Sequence, residues 1–316
     1  MLSKGSDSKD IYWICPLYSF ECECDSADLD EGIQIARAPD ECKKHIYERS
    51  KHLYGLWEDP SKFDWAIFVP YRRTNVEGLS RDKQMTAAFK EQDRDTDSLV
   101  DVFTALRLCD SGRVLAGPMF SASVDGSSWS VGGTTIWTRV SEKNFIIEDT
   151  KYVLTTDRLT EVSAVSKELR LYREKGVLEK MNLTLRRFHS SYTGPIEDRL
   201  IDQMIAFESL YLSDAQELTY KLAMRVAFLL GDEPEERPLI FGGMKKAYRY
   251  RSSIVHGDEP PNRDELGVIT TKTEEYLRRS IRAFLVLLAE GKPLKQIRES
   301  LLDENIVRGG NLLSGS

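Results

Sequence analysis

The feature that most constrains this chain is a change of period near Thr156. Before it, apolar residues alternate in short runs broken by turn residues. After it, they recur every three or four positions while glycine and proline thin out. A two-residue repeat gives one face of a strand and a 3.6-residue repeat gives one stripe of a helix. The expectation is an α+β protein in two parts, which 316 residues are enough to build. A β-rich N-terminal domain spans 1–155, a helical bundle spans 156–305, and 306–316 is a loose tail.

In the first part the strand candidates are Ile11 to Leu17, Gly32 to Ala36, Asp64 to Tyr71, Val100 to Cys109, Arg113 to Phe120 and Trp129 to Val140. Asp110-Ser-Gly112, Val124 to Ser128 and Gly132-Gly133 mark turns between them. Ala38 to Glu58 has a helical composition, and the polar span Glu77 to Ser98 reads as a mobile loop or short helix. In the second part, Thr156 or Asp157 caps a helix to about Lys175, which Gly176 breaks, and a second helix runs to about Ser190. Ile196 to Leu212 follows, with Leu200, Met204, Phe207 and Tyr211 on one stripe. Ser213 and Gln216 suit a capping box for a helix from Asp214 to Leu230. Another helix starts near Leu239 or Gly243 and ends at His256, with Gly257 beyond it. Asn262 and Glu265 cap a long helix to about Glu290, and Pro293 opens a short last one.

Two charges interrupt the apolar stripes. Glu208 sits in register with Ile201, Ile205 and Leu212; Arg225 sits in register with Leu218, Leu222 and Leu229. A charge on a buried stripe is costly unless paired. The sequence therefore allows a Glu208–Arg225 pair, Glu208 bonded to Arg251, or either chain reaching water at the rim.

Composition excludes several classes. No apolar run approaches the roughly 20 residues of a membrane span, and the N-terminus has no apolar signal core; the expectation is a cytoplasmic protein with no membrane partner. Net charge is −7 and the sequence pI about 5.4, which argues against general nucleic-acid coating. Five cysteines without a secretion signal suit reduced thiols. Cys22-Glu-Cys24, with Cys42 and His45 downstream, matches no familiar zinc spacing. No phosphate-cradling glycine loop or nucleophile elbow is present. No metal and no cofactor is expected.

What remains is Tyr248-Arg-Tyr-Arg251-Ser252-Ser-Ile-Val-His256-Gly257. Arginine stays charged at any physiological pH, and histidine is the side chain that exchanges protons near neutrality. A cation and a proton shuttle suffice for metal-free phosphodiester cleavage. Lys245, Lys246, Arg249 and Arg251 make a local basic patch in an acidic chain. Ser252 offers a hydroxyl to phosphate or to its own backbone; Tyr248 and Tyr250 offer rings for bases or for packing; Arg249 is a phosphate contact or a solvated face.

The Arg-x4-His spacing resembles the signature of HEPN-domain ribonucleases. The wider pattern is similar to the ApeA-like branch of that superfamily. It comprises Arg199 to Leu210 with Glu208, Glu217 to Leu230 with Arg225, and Tyr248 to Gly257 with Arg251 and His256, within residues 155–290. The resemblance implies that the helical part is an all-α HEPN bundle and a metal-independent endoribonuclease. Arg251 would hold the scissile phosphate and His256 would act as general acid or base. Glu208, Arg225 and Ser252 would support them, and Lys245, Lys246, Tyr248, Arg249 and Tyr250 would contact RNA. Attack by the 2′-hydroxyl would leave 2′,3′-cyclic phosphate and 5′-hydroxyl ends. It further implies a toxin or abortive-infection effector in bacterial anti-phage defence, acting on tRNA or another structured RNA as a homodimer, with a sensor or inhibitor protein as partner. The alternative is a non-catalytic HEPN module for RNA binding or dimerisation. Five helical residues turn about 500°, which leaves Arg251 and His256 roughly 140° apart, so a site completed across a two-fold axis is the better expectation.

Overall fold

The computed structural model describes residues 10–50, 63–71, 78, 80–136, 151–213, 217–258, 262–310 and 312. Its architecture is α+β, and the chain divides into two compact units, Met1–Arg170 and Leu171–Ser316.

The first unit is built on β1 (Asp10–Tyr18), β2 (Phe20–Cys22), β3 (Ser26–Asp28), β4 (Gln34–Arg37), α1 (Asp40–Ser50), β5 (Trp65–Pro70), α2 (Arg81–Cys109), β6 (Leu115–Ala116), β7 (Met119–Asp125), β8 (Ser128–Ile136) and β9 (Tyr152–Leu154). The main sheet is antiparallel in the order β3-β4-β5-β1-β7-β8, with β6 also on β1, while β2 and β9 form a separate parallel pair. β1 is central and buried along most of its length, which its near-continuous apolar run requires. Ile14 and Tyr18 join Cys42 and Ile46 of α1, Phe68 and Trp129 in one core. On the alternate side of β1, Trp13 donates from Nε1 to Asp95 Oδ2 of α2 at 3.1 Å.

The structure corrects one stretch. Of the two readings offered for Glu77–Ser98, a mobile loop or a short helix, the described part takes the helical one, and Val100–Cys109 is not a strand but its continuation: α2 runs unbroken from Arg81 to Cys109. Leu99, Val102, Phe103 and Leu106 are fully buried and fall at helical spacing. Val100, Ala105 and Leu108 are buried as well, together with the polar Asp101, Thr104 and Arg107, so this half of the helix is buried on nearly every side. A short run of that kind does not reveal its period. The Arg113–Phe120 candidate is two strands separated at Gly117 and Pro118. Residues 51–58 and 137–140, the ends of two expected elements, lie outside the described residues.

Helix α3 (Thr156–Glu174) starts where the period changes, and the boundary between the compact units falls inside it. The second unit then contains α4 (Val177–Lys180), α5 (Asn182–Ser190), α6 (Ile196–Tyr211), α7 (Leu218–Leu230), α8 (Glu236–His256), α9 (Arg263–Ala289), α10 (Leu294–Gln296), a π-turn at Ile297–Leu301 and α11 (Leu302–Val307). Leu200, Met204, Phe207 and Tyr211 are all fully buried, as their stripe requires. Gly176, at φ 67°, takes the left-handed turn that separates α3 from α4. Three expectations shift, the first being that α8 opens at Glu236 rather than near Leu239 or Gly243. The helix expected to Ser190 is two pieces, α4 and α5, and α7 opens at Leu218 behind a left-handed Glu217. Residues 214–216 of the expected capping box lie outside the described residues.

Candidate functional site

Helix α8 carries the Arg251–His256 stretch. It remains helical through His256 and ends on Gly257, at φ 72°, where Gly257 N–H reaches Ile254 O and Asp258 N–H reaches Ser253 O at 3.0 Å. The left-handed residue is therefore the glycine, which adopts it without a Cβ clash. Because the helix does not unwind before His256, the pair keeps its separation of roughly 140° about the axis. Arg251 is half-buried on one side and His256 is exposed on the other.

Arg251 faces α6. Its Nη2 lies 3.9 Å from Glu208 Oε1, an ion-pair contact too long for a hydrogen bond. Its guanidinium also sits 5.9 Å from the centre of the Tyr248 ring. Burial raises the Tyr248 hydroxyl pKa, the Glu208 charge adds to that, and Arg251 opposes it. The Arg251 Nε–H is buried and has no hydrogen-bond acceptor among the described residues. Glu208 therefore pairs with Arg251, one of the arrangements the sequence allowed.

The alternative Glu208–Arg225 pair does not form. Arg225, 1% exposed, makes a two-pronged bond to Asp303 of α11, at 2.8 Å from Nε and 2.9 Å from Nη2. Its Nη1 donates to Tyr211 O at 2.6 Å. Arg298 donates to the carbonyls of Ser209 and Leu210. Two arginines thus satisfy the last carbonyls of α6 and place positive charge at the negative end of its dipole. Arg225 fixes the end of the helix that carries Glu208 instead of touching Glu208. Sequence reasoning missed Asp303 because its partner lies 78 residues earlier in the chain.

The remaining candidates separate into two groups. Tyr250 and Lys246 point to α9: the Tyr250 hydroxyl donates to Glu265, and Lys246 Nζ lies 3.0 Å from the same Glu265 oxygen. Tyr250 is only 8% exposed, so its ring is a packing element and not a base platform. Lys245 and Arg249 are exposed, and Ser252 is half-exposed with no side-chain hydrogen bond among the described residues. Lys245, Arg249, Ser252 and His256 recur at helical spacing along one face of α8. Beside the start of that face, Tyr220 of α7 meets Phe241 edge to face, with ring centres 5.5 Å apart. Lys245 Nζ lies 5.4 Å over Phe241. This aromatic pair carries no recognisable sequence motif; the helix packing assembles it.

A separate cavity of about 540 Å³ opens between α8 and α9, lined by Leu239, Gly243, Lys246, Glu265, Val268 and Tyr276 among others. Neither Arg251 nor His256 borders it. In the other unit, Cys42 is fully buried in the sheet core, while Cys22 and Cys24 are half-exposed. Among the described residues no group of three or more histidine, cysteine or acidic side chains converges as a metal cage, and no helix is long and apolar enough to cross a membrane. Comparison with protein-family models, curated proteins and solved structures returns no match.

Proposed function

We propose that this protein is an endoribonuclease whose reaction centres on Arg251 and His256 of α8. The observation that carries the reading is the state of Arg251. Its guanidinium is held at 3.9 Å by Glu208 rather than clamped by hydrogen bonds, and its Nε–H has no acceptor among the described residues. A charged donor held that loosely can turn to an incoming phosphate oxygen at little cost, and an anion would satisfy the buried N–H. Glu208 and Tyr248 orient the cation, and Arg225 with Arg298 steadies the helix end that carries Glu208.

In the reaction, Arg251 binds a non-bridging oxygen of the scissile phosphate and stabilises the charge that builds in the pentacoordinate state. His256, exposed at the end of α8, either takes the proton from the 2′-hydroxyl or gives one to the departing 5′-oxygen. Closure of the 2′-oxygen onto phosphorus breaks the P–O5′ bond, leaving a 2′,3′-cyclic phosphate and a 5′-hydroxyl. One histidine serves one of these transfers; a second copy of the chain, placed across a two-fold axis, would supply the other. The roughly 140° between Arg251 and His256 fits such a shared groove better than a pocket within one protomer. The reading extends to a cytoplasmic effector of anti-phage defence, with the sheet unit selecting the target or sensing the trigger.

The test is cleavage of RNA by the full chain in EDTA, comparing wild type with Arg251→Ala and His256→Ala. Each substitution should lower the rate by at least about a hundredfold, and the products should carry cyclic phosphate ends. Activity that survives both substitutions moves the site elsewhere. RNA binding without any cleavage favours a non-catalytic module.

A further inference from the structure

The outer face of α8 and the Tyr220–Phe241 pair lie side by side, and the ribonuclease reading uses only the far end of that face. Resting on that reading, we infer that Tyr220 and Phe241 form a base-stacking platform that restricts the substrate to single-stranded RNA, with Lys245 and Arg249 carrying the phosphates between the platform and His256.

Tyr220 is 56% exposed, so packing does not account for its ring. The edge-to-face contact with Phe241, at 5.5 Å and 79°, holds the ring in place, so little rotamer freedom is lost when a base stacks on it. Lys245 over Phe241 puts a cation beside the platform, the combination of ring and charge that binds single strands without reading sequence. From there, Lys245, Arg249, Ser252 and His256 follow at steps of four, three and four residues. Four residues rise about 6 Å along a helix, close to the separation of successive phosphates on a stretched strand. Phe241 and His256 are fifteen positions apart, or about 22 Å, which puts the platform about three to four nucleotides from the bond that is cut. Arg249 is exposed, with its guanidinium 5.6 Å from the Tyr250 ring, so both cations can take a phosphate. The constraint to single strands is physical: a paired and stacked base has no free face to offer a ring.

Binding and cleavage separate the two ideas. The His256→Ala chain is titrated by fluorescence anisotropy, in EDTA at one fixed salt concentration, with labelled oligoribonucleotides of two and six residues and with a six-base-pair RNA duplex. Tyr220→Ala in that background is expected to weaken the six-mer about tenfold and to leave the dinucleotide unchanged; Tyr220→Trp should keep the affinity. In the cleaving chain, Tyr220→Ala should raise KM for the six-mer about as much, with kcat little changed. The inference is overturned if the six-mer is not bound, if Tyr220→Ala binds it as tightly as before, if Tyr220→Trp fails to keep the affinity, or if duplex and six-mer weaken equally. If the wild-type chain cleaves no RNA while Tyr220→Ala still weakens the six-mer selectively, the ribonuclease reading falls and the platform stands. If cleavage depends on His256 but is indifferent to Tyr220, the platform falls and the ribonuclease reading stands.

Discussion

At the scale of single residues, the chemistry of α8 is divided by direction. Arg251 and Tyr248 turn to Glu208 on α6, and Lys246 and Tyr250 turn to Glu265 on α9. Lys245, Arg249 and His256 stay in water. Glu265 shows what its contacts do to a carboxylate. The Tyr250 hydroxyl first, then the Lys246 ammonium, hold its pKa below the usual range. A carboxyl whose pKa is lower in the folded chain favours folding above its unfolded value and loses that contribution as pH falls through the folded one. The stability gap between wild type and Glu265→Gln should therefore narrow as the pH drops below about 4, measured by urea unfolding across an acid series. A gap that is flat with pH would mean that Glu265 contributes no charge-dependent stability. The residue types at Arg251, His256 and Glu208 could be read from the sequence, because a charge on an apolar stripe demands a partner. Which partner each one takes could not, since Glu208 had two arginines in register and only the packing chose between them.

At the scale of elements, caps and helix ends explain most of what was legible. Asn262 Oδ1 accepts from the N–H groups of Asp264 and Glu265, at 2.8 and 3.4 Å, as its place before α9 suggested. Glu265 does not return the bond to the cap, because its carboxylate is engaged with Tyr250 and Lys246. Replacing Asn262 with alanine should cost about 1 kcal/mol of stability, seen as a lower urea midpoint at unchanged slope. No change would mean that water or a neighbour satisfies those donors equally well. Helix α2 is the opposite case. Its second half is buried nearly all round, apolar and polar side chains alike, so no exposed face marks its period, and length was the only remaining guide.

At the scale of the whole molecule, the chain has two compact units, each with its own buried core. All five tryptophans precede residue 140, so tryptophan fluorescence follows the sheet unit alone. Arg225 belongs to the other unit, where removing it strips three hydrogen bonds from a fully buried guanidinium. Asp303 is half-exposed, so its stranded charge reaches water and the cost stays at about 2–3 kcal/mol. Arg225→Ala should lower the unfolding midpoint followed by far-ultraviolet circular dichroism and leave the tryptophan midpoint unmoved. A matched drop in both signals would show that the two units unfold as one. The sequence by itself determined the change from alternating to helical period at Thr156, the C-terminal ends of most helices after it and the cation and imidazole of α8, because these follow from local periodicity, capping chemistry and residue type. Only the tertiary structure decided that Arg225 belongs to Asp303, that Arg251 belongs to Glu208, and that Tyr220 stands beside Phe241. Those pairings join residues far apart in the chain, and the energy that selects them comes from how helices pack against one another rather than from any local run of sequence.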